Sequence, residues 1–148
     1  MTFDELPLYE AVYDVYRLVD NPRSDRWLTA DSEVLCRSIQ DHLPIGHPYK
    51  MPQMLDAWAR FGKSGTVEGG AKKLELLVTI ARLHGRKCFW ADRGLGECTS
   101  EITIDRLLTG SRGGQYTQEN CVLACSFHNS QRNDRSIEDY LSNAKDTP

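Results

Sequence analysis

Four of the five cysteines, Cys88, Cys98, Cys121 and Cys125, crowd into one stretch of the chain, and the last is followed by a histidine as Cys125-x2-His128. This cluster constrains the fold more than any other feature. The cysteine count is odd, and the opening segment MTFDELPLYE is acidic, with no basic region leading into an apolar run. No export signal is therefore expected, the expected compartment is a reducing cytoplasm, and a disulfide framework is not. Under those conditions grouped thiols point to metal binding. Cys125-x2-His128 has the spacing of a zinc half-site, and Cys88-x9-Cys98 supplies the other half, although its gap is wider than the usual knuckle. Three thiolates and one imidazole around a tetrahedral position describe a structural zinc ion. The competing reading is a set of unligated thiols beside a surface histidine. Cys36, in a helical pattern, and Cys121 read as small buried apolar residues.

Residues 1–85 read as helical. Leu8, Val12, Tyr16 and Val19 recur at helix spacing up to Asn21-Pro22. Thr29 or Asp31 can cap a second helix with the stripe Leu35, Ile39 and Leu43. Pro52 suits the first helical position of a third, which runs over Met54, Leu55, Trp58 and Phe61 to Gly62. A link from Ser64-Gly65 to Gly69-Gly70 precedes a fourth stripe of Leu74, Leu77, Val78 and Ala81, closed by Gly85. The pattern then changes. Residues 88–100 read as a loop. Ile102 and Ile104 alternate with Thr103 and Asp105 as in a strand, and residues 109–119 read as a long glycine-bearing loop. Val122 and Leu123 suit a short second strand and residues 126–133 a short helix. Ser136-x-x-Asp139 opens another helix. The expected class is α+β, with a helical extension over 1–85 and a smaller module over 86–148.

Charge narrows the partners. The net formal charge is −3, which excludes a chain that binds polyanions through bulk charge alone. The acidic excess lies in residues 1–81, whereas residues 82–135 carry eight basic against six acidic side chains. That second stretch, with Arg132 among its cations, is the one suited to face a phosphate backbone. No run of about 18 apolar residues occurs, so no membrane span is expected.

The segment ITIDRLLTGSRGGQYTQENCVLACSFHNSQRND resembles the HNH endonuclease family, whose fold is the ββα-metal motif. The matching positions are Asp105-Arg106, Gly113-Gly114, Asn120, Cys125-x2-His128-Asn129 and Arg132, within about residues 86–135. The resemblance implies a zinc-stabilised ββα-metal module that hydrolyses DNA phosphodiester bonds, in a restriction, homing or phage-type role. It implies that Asp105 and Asn129 hold a catalytic Mg²⁺ or Mn²⁺ ion and that Asn120 holds the long loop. Asp105, Arg106, Asn120 and Asn129 are thus the expected catalytic set. Cys88, Cys98, Cys125 and His128 are the expected structural zinc ligands. Chemistry agrees in outline, since a hard cation held by one or two protein oxygens, with waters and phosphate completing its shell, is normal.

Arg106 departs from the common family pattern, which has histidine there as general base. Arginine stays protonated and cannot accept a proton, but it can bind a phosphate and stabilise developing charge. The base must then be another group, with His84, Tyr116 and (where it is not a zinc ligand) His128 as candidates, or a water chain to bulk solvent. This departure also motivates an alternative, a non-catalytic zinc-stabilised DNA-binding module, while the acidic helical half motivates a protein-interaction domain. A nuclease that cuts both strands would work naturally as a homodimer, with the extension over 1–85 expected to dimerise the chain or to read DNA.

Overall fold

The computed structural model describes residues 1–18, 32–62 and 72–145, with backbone alone at 61, 62, 72 and 143–145. Within these residues the chain is α+β. The helices α1 (Leu6–Arg17), α2 (Ser32–Gln40), α3 (Met51–Ala57) and α4 (Lys72–His84) come first. They are followed by strands β1 (Ile102–Arg106) and β2 (Cys121–Cys125) and by helices α5 (Ser126–Arg132) and α6 (Ile137–Lys145). The chain forms two compact units, residues 5–78 and residues 1–4 with 79–148. The division therefore falls inside α4 rather than after residue 85, and the first four residues join the second unit. Val19, the Asn21-Pro22 stop, the Thr29 and Asp31 caps and the 64–70 link lie outside the described residues.

In the helical unit, α1 is buried round more of its circumference than a single stripe requires. Leu6, Leu8, Tyr9, Val12 and Val15 are all buried, while Tyr16 is only half-buried. The reason is that α2 and α3 both pack on α1. Helix α2 buries Leu35, Cys36 and Ile39 as its periodicity anticipates, and Leu43 follows in the next turn. Helix α3 starts at Met51, one residue before Pro52. The proline still sits in the first turn, where its missing N–H has no partner to lose. The Lys50 N–H donates to Gln53 Oε1 at 2.8 Å, satisfying one donor at the helix start. The helix then widens into one π-type turn, Trp58–Gly62, and ends at the expected glycine.

Apart from residues 1–4, the second unit begins with the last residues of α4. Gly85 takes φ +111°, a conformation that favours glycine, and its N–H closes the last turn on Ala81 O at 3.0 Å. Strands β1 and β2 pair antiparallel, from Ile102 opposite Cys125 to Arg106 opposite Cys121. The other edge of β1 is covered by the start of the chain: Ile102 N donates to Met1 O at 2.9 Å and Phe3 N to Ser100 O at 3.0 Å. All five residues of β2 are buried, so the second strand is longer than Val122 and Leu123. In β1 the expected alternation breaks. Ile102 and Asp105 are buried while Ile104 is half-exposed, because Asp105 finds fixed polar partners inside. Trp90, fully buried, meets Tyr140 edge-on at 5.0 Å and Phe89 at 4.9 Å. At the start of α6 the Asp139 N–H donates to Ser136 Oγ at 3.1 Å, which is the anticipated cap. Among the described residues no helix is long and apolar enough to cross a membrane.

Candidate metal centre and adjoining cleft

Cys88 and Cys98 come from the loop before β1, Cys125 from the end of β2, and His128 from the first turn of α5. Their ligand atoms all lie within 4.8 Å of one another. His128 Nδ1 is 3.5 Å from Cys88 Sγ, 3.6 Å from Cys98 Sγ and 3.2 Å from Cys125 Sγ. A tetrahedral ion with bonds of about 2.3 Å to sulfur and about 2.05 Å to nitrogen sets its S···N edges at about 3.5 Å. The four side chains therefore fit one metal ion, and the donor set is compatible with structural zinc. Cys121, buried in β2, is not one of the group, and Cys36 is buried in α2.

Neighbouring groups prepare these ligands. His128 Nε2 lies 3.1 Å from Gly96 O, which assigns the proton to Nε2 and leaves Nδ1 as the lone-pair donor. Gly96 has φ +100°, and a side chain there would press on the Phe127 ring at 3.2 Å. The Cys125 N–H donates to Cys88 Sγ at 3.2 Å, and the His128 N–H to Cys125 Sγ at 3.3 Å, so Cys125 also caps α5. Cys98 is exposed as a residue, but loss of water around its sulfur and the adjoining Cys88 and Cys125 push its thiol up to about 12. Burial raises Cys88 as well. Cys125 is lowered: burial acts against ionisation there, but backbone donors at His128 and Thr99 outweigh it. Three converging thiolates repel one another, and a divalent cation removes that repulsion.

Beside this centre lies a cleft of about 190 Å³, and among its lining residues are Asp105, Arg106, Tyr116, Asn129 and Asp134. Asp105 is buried and both its oxygens are engaged. Trp90 Nε1 donates to Oδ2 at 2.7 Å, and Arg132 Nη1 donates to Oδ1 at 2.8 Å. Burial pushes the Asp105 carboxyl up, while Trp90 and Arg132 pull the other way. Arg132 is fully buried. It also donates to the carbonyls of Arg106, Leu107 and Arg135, and its guanidinium lies 5.2 Å from the Trp90 ring centre. It is therefore not one of the cations available to a phosphate backbone, which corrects the sequence expectation.

Asn129 is oriented by an indirect route. Thr103 Oγ1 gives its one proton to Ala124 O at 2.9 Å, so it can only accept from Asn129 Nδ2, at 2.8 Å. That leaves Oδ1 as the atom Asn129 offers to the cleft, and an amide oxygen with a carboxylate is a donor set suited to a hard cation. Arg106 stacks on Tyr116, its guanidinium carbon 4.2 Å from the ring centre, and packs so tightly on Gly110 that a Cβ there would meet both terminal nitrogens at 2.7 Å. Asn120 ties the loop together. Its Nδ2 donates to Leu108 O and Gln115 O, each at 3.0 Å, and its Oδ1 accepts from Leu108 N at 2.9 Å.

Of the three candidate bases, only Tyr116 is among the cleft residues. His84 Nε2 is held 2.9 Å from Gln118 O, and His128 belongs to the metal cluster. Sequence reasoning missed the partners Trp90, Thr103 and Gly96 and misjudged Arg132. None carries a local signal, since each acts through a partner at least 15 residues away. No family model, curated protein or solved structure matches this chain.

Proposed function

We infer that the chain is a metal-dependent endonuclease that hydrolyses DNA phosphodiester bonds, on an HNH-like ββα-metal module clamped by structural zinc. The observation that carries the reading is the meeting of Asp105, Arg106 and Asn129 in one cleft, from the end of β1 and the start of α5. Asp105 and Asn129 would hold a Mg²⁺ or Mn²⁺ ion, which when bound stabilises charge on the phosphate and on the departing oxygen. Arg106, preorganised on Tyr116, pairs with a phosphate oxygen through a fixed fork of donors. Asn120 keeps the loop bearing Tyr116 in register with β1. Zinc in the Cys88, Cys98, Cys125 and His128 group pins the loop, β2 and α5 together, and so holds the cleft's two walls. Cutting both strands would follow from a two-fold homodimer.

Nicking of supercoiled plasmid in Mg²⁺ or Mn²⁺ tests this. Asn129→Ala is the informative variant, because Asn129 is not part of the buried ion pair. It should cut at least about 100-fold more slowly, the scale of losing one preorganised electrostatic group, with unchanged melting and zinc content. A wild-type chain that leaves plasmid intact in both metals, or an Asn129→Ala chain that cuts normally, overturns the reading. One observation favours a second reading, a non-catalytic nucleic-acid-binding module: both Asp105 oxygens already serve a structural pair. Salt-sensitive duplex binding with no cleavage in any divalent metal would select it.

A further inference from the structure

Two carboxylates line the cleft, and they stand in opposite situations. Asp105 is buried with both oxygens committed to Trp90 and Arg132. Asp134 is exposed, and among the described residues no hydrogen bond or ion pair engages it. Its place is nevertheless fixed by its backbone. The Asn133 N–H donates to Asn129 O at 3.0 Å, and the Arg135 N–H donates to Arg132 O at 3.0 Å. Arg132 Nε returns the contact by donating to Arg135 O at 3.0 Å. Asn133 itself is held at φ +54° and ψ −118°, a conformation side chains seldom adopt. The guanidinium that locks Asp105 therefore also anchors the turn that carries Asp134 to the cleft.

Phosphodiester hydrolysis needs an acceptor for a proton of the attacking water. The charged and titratable groups that share the cleft with Asp134 are Asp105, Arg106 and Tyr116. Arg106 remains protonated. Tyr116 lies under the Arg106 guanidinium, and Asp105, bonded to Trp90 and Arg132, has its remaining lone pairs assigned to the divalent ion in the endonuclease reading. The Thr109 and Ser111 hydroxyls bond each other at 3.1 Å, and Asn129 and Asn133 are neutral amides. Asp134 is the one carboxylate of the cleft left free of both those donors and that ion.

We propose that Asp134 is the general base of the cleft, a role that rests on the endonuclease reading. The water oxygen forms a bond to phosphorus as one of its protons passes to the Asp134 carboxylate. The P–O bond to the leaving sugar oxygen breaks, and that oxygen leaves with the bonding pair and takes a proton from solvent. The products are a phosphate monoester and an alcohol. Asp134, open to water, then gives its proton to bulk solvent, so no internal relay is needed.

The test compares wild type, Asp134→Asn and Asp134→Glu as full-length, zinc-loaded chains. It measures plasmid nicking in Mn²⁺ from pH 6 to 9, binding of a fluorescent DNA duplex without divalent metal, and thermal melting. At neutral pH, Asp134→Asn should nick about 10²–10⁴-fold more slowly, the usual share of a general base, while duplex binding and melting stay unchanged. Its deficit should shrink as pH rises and hydroxide replaces the assisted water, and Asp134→Glu should recover part of the rate. Asp134→Asn nicking at the wild-type rate with the wild-type pH profile overturns the role of Asp134 and leaves the endonuclease reading standing. Loss of duplex binding by the same factor as activity also overturns it, since Asp134 would then act in binding. A wild-type chain that does not nick removes both.

Discussion

Arg132 is the side chain whose environment says most about this molecule. It is a cation with no exposed surface, and it spends its donors on one carboxylate and three backbone carbonyls. Such a group is costly to bury and more costly to leave half-paired. Arg132→Met strands the Asp105 charge and should destabilise the second unit by about 3–5 kcal/mol, read as a lowered urea midpoint. Combining it with Asp105→Asn, which still offers an oxygen to Trp90, should cost less than the two single changes added together. Strict additivity would show that the pair is not coupled. Asp105→Ala is, for the same reason, a poor probe of catalysis, because lost activity would be entangled with lost structure.

Among the elements, the loop between β1 and β2 depends on small residues at fixed places. A Cβ on Gly114 would lie 1.6 Å from Leu108 O, and the Gly114 N–H donates to Thr109 O at 2.9 Å. No side-chain rotation relieves a clash with backbone. Gly114→Ala should therefore force the loop open, lower the melting temperature by several degrees (a loss of about 1–3 kcal/mol) and release Tyr116 from Arg106. A chain that melts normally and keeps its Tyr116 ring signals unshifted would contradict this. The glycine pair stands out in the sequence as a turn signal. Its physical requirement does not, because Leu108 O reaches it only once Asn120 has drawn the loop closed.

For the whole molecule, the second unit has one two-stranded sheet among the described residues, and its thiols and imidazole converge from elements far apart in the chain. A metal bound there contributes directly to folding, and apparent binding energies of structural zinc reach about 10–16 kcal/mol in small zinc modules. Purified protein should carry one zinc per chain, and Cys88→Ser should abolish its retention. Stripping the metal with a strong chelator should melt the part built on β1, β2 and α5 while the helicity of residues 5–78 persists in far-ultraviolet circular dichroism. Metal-free protein with an unchanged melt would refute the clamp. The net charge of −3 has its acidic excess in residues 1–81, so under the endonuclease proposal the cations of residues 82–135 should carry DNA binding, and that binding should fall steeply with salt.

What could be read from the chain alone was local. Apolar spacing marks α2 and α4, a serine three residues before an aspartate marks the start of α6, and ligand-type residues at metal spacing mark the Cys88, Cys98, Cys125 and His128 group. Each pattern repeats within a few residues or uses a rare residue type, so it survives without knowledge of the fold. Tertiary structure alone decided that Asp105 turns inward, that Trp90 and Arg132 hold it, and that Asn129 presents its oxygen because Thr103 has already given away its proton. It also placed Asp134 at the same cleft. Those outcomes join common residues across long separations, and a pairing between distant, ordinary side chains leaves no periodicity behind. It exists only after the backbone has closed on itself and excluded the water that would otherwise satisfy both partners.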